Sequence, residues 1–232
     1  MGQKTLDLVI PDGKQWLRAG SWVPAAERGA EQPYWIEIWP SSVAVARCLV
    51  RLGAGSAGLQ GKRVLDLGCG LGVPGTSAAS LGASVSFADM QPDALAFAAW
   101  NAQRAHPNGD APACHLLDWS RNCVSGQFEI LVLADVSYRP VHHRPLLDHV
   151  QSCLAAGGLV LHADPFRPES DGFLKSLRSM LASVETAHDT AVGDRRVRVR
   201  VTCAAKDVSL LPSLERKQRG TQTADEPGPS AR

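Results

Sequence analysis

The strongest structural signal in the sequence is Val64-Leu65-Asp66-Leu67-Gly68-Cys69-Gly70-Leu71-Gly72. A short apolar run contains an acidic residue near its end and leads directly into a turn with glycine at every second position. Glycine adopts backbone conformations that other residues avoid, and it lets the chain pass close to a ligand because no Cβ occupies that space. The stretch therefore predicts a strand, a ligand-binding loop and a helix in succession.

Three classes of cofactor compete for this loop. A phosphate-binding P-loop requires Gly-Lys-Ser/Thr at its end, and no lysine is present. A dinucleotide fingerprint requires a third glycine where the chain has Val73. S-adenosylmethionine fits better, because its cationic sulfonium and ammonium groups tolerate the Asp66 carboxylate, which would repel a pyrophosphate. For this motif taken alone, a plain tight turn is the alternative.

Short apolar strands and helices alternate along the chain. Strands are predicted at 63–67, 84–89, 114–117, 129–134 and 159–163, and helices at 41–53, 73–81, 92–105, 146–154 and 173–181. Buried strands separated by helices are typical of an α/β fold, in which helices cover both faces of a parallel sheet. Near the end, valines alternate with arginines over 196–201, which predicts a half-exposed strand near a sheet edge.

Carboxylates recur where the next two strands end. Asp89 closes the second strand, 21 residues after Gly68, and a carboxylate there can accept both ribose hydroxyls. Asp118 follows the third strand and could accept from an adenine amino group, beside the flat indole of Trp119. Taken alone, Asp89 could be a helix cap, Asp118 a residue of a surface loop and Trp119 a core aromatic. Ligands bind at the carboxyl ends of strands in such sheets, so a joint S-adenosylmethionine site is predicted from Asp66, Gly68, Gly70, Gly72, Asp89, Met90, Asp118, Trp119 and Ala134.

The fourth strand ends at Ala134-Asp135-Val136-Ser137-Tyr138, beside the first strand of a doubly wound sheet and hence near the transferable methyl group. Methylation of an amine requires a neutral lone pair in line with that methyl. Desolvation in an aromatic pocket lowers the pKa of a lysine ammonium. Asp135 is predicted to orient the amine and Tyr138 to line the slot. The alternative is a capping aspartate and a core tyrosine.

Residues from about 33 to 205 resemble the seven-strand lysine methyltransferases of family 16, a group that includes bacterial proteins described as nicotinamide N-methyltransferases. The resemblance rests on the glycine loop and on four further segments: Pro33-Tyr34-Trp35-Ile36-Glu37-Ile38-Trp39-Pro40, Asp118-Trp119, Asp135-x-x-Tyr138 and Ala163-Asp164-Pro165-Phe166-Arg167-Pro168. Two positions depart from the family pattern. Phe166 stands where a glycine is expected, and Ser137 where a bulky apolar residue is commoner.

The resemblance implies a Rossmann-like, doubly wound sheet of seven strands, mostly parallel with an antiparallel last strand. It implies an S-adenosylmethionine-dependent domain over 33–206, between an N-terminal extension (1–32) and a disordered tail (207–232). Trp39 is expected near the cofactor, and Asp135 and Tyr138 in the acceptor pocket. The expected acceptor is a protein lysine, with the β-subunit of electron-transfer flavoprotein or a ribosomal protein as candidates. A nicotinamide-like small-molecule acceptor and a non-catalytic cofactor-binding module are the alternatives.

Composition argues against several other classes. The net charge of +1 gives no general attraction to nucleic acid or anionic membranes. No apolar run reaches the length of a membrane span, and none at the start is typical of a signal peptide. The cysteines form no Cys-x-x-Cys pair, and His142-His143 lacks further ligands, so no metal site is predicted. No Gly-x-Ser-x-Gly elbow indicates a hydrolase. We expect reduced thiols and a cytoplasmic protein.

Overall fold

The computed structural model describes residues 5–11, 34–55 and 58–211. The helices in these ranges are α1 (Pro40–Gly53), α2 (Val73–Ala79), α3 (Pro92–Ala105), α4 (His143–Cys153) and α5 (Asp171–Met180). The strands are β1 (Arg63–Leu67), β2 (Ser84–Asp89), β3 (Ala113–Leu116), β4 (Phe128–Ala134), β5 (Leu154–Asp164), β6 (Ala182–Val192) and β7 (Arg195–Ala205). Short 3-10 turns lie at Tyr34–Ile36, Pro140–His142, Pro168–Ser170 and Val208–Leu210.

These strands form one sheet in the order β3-β2-β1-β4-β5-β7-β6. The first five pair in parallel, and β7 runs antiparallel to both β5 and β6. The predicted Rossmann-like, mostly parallel sheet with an antiparallel last strand is therefore confirmed. The strand order reverses between β1 and β4, and ligands bind outside the carboxyl ends of the strands at such a switch point.

The two faces of the sheet carry separate hydrophobic clusters. On β1, Val64 packs into the cluster that includes α1, α2 and α3, whereas Leu65 and Leu67 pack into the cluster that includes α4 and α5. Alternate residues of a strand point to opposite faces, so a run that is apolar throughout is buried on both. Burial of each such side chain stabilises the fold by roughly 1.5–3 kcal/mol.

The structure corrects several predicted boundaries. Helix α1 begins at Pro40, with Trp39 rather than Ser41 at the N-cap position, and Ser42 Oγ donates to Trp39 O at 2.7 Å. Strand β5 begins at Leu154 and passes through the Gly157-Gly158 pair, so it is longer than predicted. The sequence prediction contained no strand at β6, although β6 occupies the edge of the sheet beside the arginine-rich β7.

The predicted N-terminal extension and tail lie mostly outside the described residues. Residues 5–11 are described, and within them Val9 pairs with Asn101 of α3: its amide donates to Asn101 Oδ1 at 2.7 Å, and its carbonyl accepts from Asn101 Nδ2 at 3.1 Å. At the other end, residues 207–211 form a turn that buries Leu211. No helix in the described ranges is long and apolar enough to cross a membrane.

Candidate active site at the carboxyl edge of the sheet

The glycine loop joins β1 to α2 through three residues with left-handed backbone. The φ angles are +71° at Gly68, +51° at Gly70 and +72° at Gly72, a region that favours glycine. A Cβ at Gly68 would lie 2.6 Å from Val136 Cγ1, and one at Gly72 would lie 2.6 Å from Ala98 Cβ. The glycine pattern alone indicates space for a ligand, but at positions 68 and 72 the protein's own side chains fill that space.

Two buried carboxylates hold this loop. Asp66 Oδ2 accepts from the Gly75 amide at 2.9 Å and so fixes the first turn of α2. Asp89 Oδ2 accepts from the Gly70 amide at 3.0 Å, and Asp89 Oδ1 accepts from the Gln91 amide at 2.9 Å. Burial raises the pKa of Asp66 to about 7. Burial also raises the pKa of Asp89, and its backbone hydrogen bonds oppose that rise.

The two site residues predicted after β3, Asp118 and Trp119, lie in different surroundings. The indole of Trp119 lies against the loop, since its Cζ3 would be 3.0 Å from a Cβ at Gly68. Asp118 instead closes its own turn: it accepts from the Ser120 amide at 3.0 Å and pairs with Arg121 at 3.2 Å. The Ser120 hydrogen bonds lower the pKa of Asp118. Trp119 thus reaches the glycine loop, while Asp118 and the 60% exposed Met90 stay at the surface.

An aromatic segment passes beside the loop from the N-terminal side. The carbonyl oxygen of Trp35 lies 3.4 Å from a Cβ placed on Gly70. Trp39 Nε1 donates to the Tyr34 carbonyl at 2.9 Å, and the two rings lie 6.0 Å apart. The Tyr34 ring also meets Tyr138 edge-on, with centroids 6.3 Å apart. Trp39 and Tyr138, predicted from separate motifs, therefore border one aromatic cluster.

Asp135 follows β4, whose last residue is the half-buried Ala134, and adopts a left-handed backbone with φ of +58°. Its amide donates to the Ala163 carbonyl of β5 at 2.8 Å. Its carboxylate is buried and paired with Arg167, whose Nε and Nη2 donate to Oδ1 and Oδ2 at 2.8 and 3.2 Å. Sparsely populated backbone conformations in non-glycine residues are concentrated at functional sites.

A charged network that the sequence pattern alone does not indicate lies next to Asp135. The fully buried Asp164 accepts from Arg200 Nε at 3.0 Å and Nη2 at 3.1 Å, and Arg200 Nη1 donates to Asp171 at 3.0 Å. The predicted solvent-facing alternation on β7 is wrong at Arg200, which is 9% exposed. Its partners lie in other elements, so only the juxtaposition of an Asp-Pro segment with an arginine-rich strand could have indicated the pairing.

The two departures from the family pattern have local explanations. Phe166 adopts φ of +55°, a conformation that suits the glycine expected there, and its ring lies 5.3 Å from the Arg200 guanidinium carbon. Ser137 Oγ lies 2.7 Å from His162 Nε2 and donates to Ser170 Oγ at 2.8 Å.

The polar cluster of Ser137, His162 and Asp164 contains the residue types of a hydrolase triad. All three side chains are fully buried, and the His162 Nδ1–Asp164 Oδ2 distance of 3.8 Å is too long for a hydrogen bond. Burial lowers the pKa of His162 to about 3, so the ring is neutral. The cluster is a structural polar core without access for a substrate.

The carboxyl edge fits S-adenosylmethionine. It combines a glycine loop with left-handed residues, the buried Asp89 carboxylate at the tip of β2, and the Trp119 indole against the loop. A carboxylate at this strand tip suits ribose hydroxyls, and an indole suits a planar base. Among the described residues, no group of three His, Cys, Asp or Glu side chains is placed to hold a metal ion.

Comparison with known proteins agrees with this arrangement. The model of the lysine methyltransferase family matches residues 27–180. Protein N-lysine methyltransferase METTL21A of Danio rerio is 31% identical over 159 residues, which cover 66% of this chain and 71% of that protein. The electron transfer flavoprotein beta subunit lysine methyltransferase of Rattus norvegicus is 34% identical over 169 residues, which cover 72% of this chain but 62% of that protein.

Solved structures of low sequence identity share the fold. Magnesium protoporphyrin IX methyltransferase from Synechocystis, solved with bound S-adenosylmethionine, aligns with a TM-score of 0.58 at 18% identity, covering 86% of this chain and 100% of that one. The chain belongs to the lysine methyltransferase family and uses S-adenosylmethionine as its cofactor.

Proposed function

We propose that this chain methylates lysine side chains of a protein substrate at the carboxyl edge of its sheet. The observation that carries the proposal is the position of the Asp135–Tyr138 segment. Its Val136 lies directly against Gly68 of the glycine loop. Asp135 and Tyr138, the two predicted acceptor residues, therefore lie on either side of a residue that contacts this loop. An acceptor amine between Asp135 and Tyr138 would lie close to a methyl donor held by that loop.

The donor would be held by groups on three neighbouring strand tips. Asp89 would accept from the ribose hydroxyls, the indole of Trp119 would pack on the adenine, and the loop from Gly68 to Gly72 would supply backbone contacts. Trp39 would close the site from the aromatic segment. When bound, S-adenosylmethionine supplies a methyl group activated by its positive sulfonium.

The acceptor side would work by positioning and desolvation. The rings of Tyr34 and Tyr138 meet edge-on and form an aromatic wall. This wall would pack on the methylene stem of a bound lysine and exclude water from it. Exclusion of water lowers the pKa of the ammonium and favours the neutral, nucleophilic amine. Asp135 would orient the amine through a hydrogen bond. Alignment of two reactants in one site can lower a barrier by roughly 7–11 kcal/mol.

The choice of acceptor protein is a further part of the proposal. The relatives from rat and zebrafish are described as lysine methyltransferases, and the rat enzyme is described as acting on the β-subunit of electron-transfer flavoprotein. That subunit and ribosomal proteins are our candidates, and we place the reaction in the cytoplasm.

Label transfer in a cell lysate tests the proposal. The purified protein is incubated with S-adenosylmethionine carrying a labelled methyl group and a lysate from cells that lack this gene. We expect one or a few labelled protein bands, which disappear with Asp135→Ala. The Asp148→Ala variant, which removes an exposed carboxylate on α4, is the control and should label normally. Label found only among small molecules would contradict the proposal and favour a nicotinamide-like acceptor.

A further inference from the structure

The carboxylate proposed to orient the acceptor amine already has a cationic partner. Arg167 donates one hydrogen bond to each oxygen of Asp135, at 2.8 and 3.2 Å. The Asp135 side chain is only 5% exposed, whereas that of Arg167 is 34% exposed. A two-point contact of this kind fixes the plane of the carboxylate and leaves one lone pair on each oxygen for another donor.

The ion pair changes what Asp135 can do to an amine. A bare buried carboxylate would bind a lysine as its ammonium form, because an adjacent opposite charge favours the charged state. A protonated lysine has no lone pair and cannot accept a methyl group. A carboxylate neutralised by an arginine can still accept a hydrogen bond from the amine, but it stabilises the ammonium far less.

The surroundings keep Arg167 charged and in place. Its backbone amide donates to Asp164 Oδ1 at 2.7 Å, and Asp164 is itself paired with Arg200, which also binds the exposed Asp171. The pKa of Arg167 is raised, chiefly by its hydrogen bond to Asp135, and Asp164 and Glu169 contribute. The neutral His162 lies beside Asp164 and adds no charge. Asp164 is thus already compensated by Arg200, while Arg167 is the cation that pairs with Asp135.

We propose that Arg167 is a positioning residue that neutralises Asp135, so that the acceptor lysine binds as the neutral amine. The inference rests on the proposed function, because it concerns the same acceptor site. If Arg167 has this role, the pH dependence of methyl transfer depends on whether Arg167 neutralises the charge of Asp135. The S-adenosylmethionine site is formed by other residues, so affinity for the cofactor should stay unchanged.

The pH profile of label transfer tests this inference. Initial rates into the strongest labelled band of the lysate are measured from about pH 6 to about pH 10, a range that approaches the ordinary pKa of lysine. In Arg167→Gln the Asp135 carboxylate loses the cation that neutralises it. It should then bind the acceptor lysine as its ammonium form. We expect the rate near neutral pH to fall about tenfold or more and to recover at alkaline pH, with the midpoint raised by about one unit or more. Arg167→Lys, which keeps the charge, should keep the wild-type midpoint.

Two further variants separate this role from a structural one. The Asp135→Asn substitution introduced into Arg167→Gln removes the bare charge and should return the midpoint to that of the wild type, even if the maximal rate stays low. Arg144→Gln, which breaks an exposed pair with Asp148 on α4, is the matched control and should leave the profile unchanged. Calorimetry with S-adenosylmethionine checks that each variant is folded and binds the cofactor.

The possible results are distinct. An equal loss of rate at every pH in Arg167→Gln would overturn the inference while leaving the proposed function intact. An alkaline shift that persists in the double variant would overturn it too, since the shift would then not depend on the Asp135 charge. Absence of any labelled protein with the wild-type enzyme would overturn the proposed function, and this inference with it.

Discussion

Three aspartates lie at or beside the carboxyl ends of neighbouring strands, and two of them bind backbone amides while the third binds a cation. Asp66 binds the amide of Gly75 in α2, Asp89 binds the amide of Gly70 in the loop, and Asp135 binds a guanidinium. Backbone amides and a cation stabilise a carboxylate in different ways, because only the cation cancels its charge. Asp135 therefore differs from the other two in electrostatic environment, although all three are buried.

The first prediction at the residue scale concerns Asp89. Asp89→Ala removes the acceptor proposed for two ribose hydroxyls and also releases the Gly70 amide. A hydrogen bond to a charged group contributes about 1.5–3 kcal/mol, so we expect affinity for S-adenosylmethionine to fall about a hundredfold or more. Isothermal titration calorimetry measures this, with the exposed Asp110→Ala as control. Unchanged affinity in Asp89→Ala would remove Asp89 from the cofactor site.

The second prediction concerns stability and Asp66. Its pKa is raised from 3.8 to about 7 in the folded chain, so the folded state holds this proton at pH values where the unfolded chain has lost it. Stability from this group is therefore complete below the unfolded pKa and is lost as pH rises towards 7. The Asp66→Asn variant lacks this titration, and its stability relative to wild type should rise across that window by up to a few kcal/mol.

Urea denaturation of both proteins at a series of pH values checks this second prediction. The readout is the change of the stability difference with pH, not its absolute size, because the buried amide of asparagine alters stability at every pH. A difference that stays constant from about pH 4 to about pH 7 would show that Asp66 ionises normally.

At the scale of elements, the loop after β5 is fixed by the strand that pairs with β5 in the opposite direction. Asp164 lies opposite Arg200 in the antiparallel register, and their side chains form a buried pair. The same loop carries Arg167 to Asp135 at the end of β4. The ends of β4 and β5 and a residue of β7 thus meet at the carboxyl edge of the sheet, where the acceptor site is proposed.

The third prediction is that this buried pair matters for stability far more than an exposed one. Arg200→Ala leaves Asp164 without its cation, and loss of one partner of a buried pair costs about 3–5 kcal/mol. Arg195→Ala on the same strand breaks an exposed pair with Glu37 and should cost less than about 1 kcal/mol. Chemical denaturation compares the two variants. Similar losses would mean that the Asp164–Arg200 pair is effectively solvated.

The fourth prediction concerns the N-terminal segment and α3. The fully buried Asn101 binds both backbone groups of Val9 and donates to the carbonyl of Leu71 in the glycine loop at 3.2 Å. Asn101→Ala should lower stability by about 1–3 kcal/mol and expose the Val9 amide to solvent exchange.

Hydrogen exchange at Val9 measures this fourth effect directly. Gln103→Ala, which removes an exposed amide on the same helix, is the control and should leave Val9 protected. Equal protection of Val9 in the wild type and Asn101→Ala would contradict the contact between the N-terminal segment and α3.

The sequence predicted best those elements that local pattern determines. β1 and β2 are short, partly apolar runs bounded by turns, and the glycine loop has glycine at each of its three left-handed positions. The sequence predicted less well the features that depend on residues distant in the chain. β6 is only half-buried and has no strong alternation of apolar residues, and the burial of Arg200 follows from Asp164 and Asp171, which lie in other elements.

At the scale of the whole molecule, the strand order brings the proposed donor and acceptor groups together. β1 lies between β2 and β4, so the glycine loop is flanked by Asp89 on one side and by Asp135 on the other. The aromatic segment of Tyr34 and Trp39 meets the start of β7 near the same edge, because Arg195 pairs with Glu37 and lies over the Trp39 ring. The sheet thus accounts for a site assembled from residues far apart in sequence.

Mass spectrometry of methylated lysines shows directly whether this protein methylates lysine side chains. Proteins from cells lacking this gene are incubated with the enzyme and S-adenosylmethionine, digested, and searched for peptides that gain methyl groups. We expect a small, discrete set of lysine side chains to be methylated by the wild type and left unmodified by Asp89→Ala. Methyl groups on residues other than lysine, or no newly methylated protein despite tight cofactor binding, would contradict it.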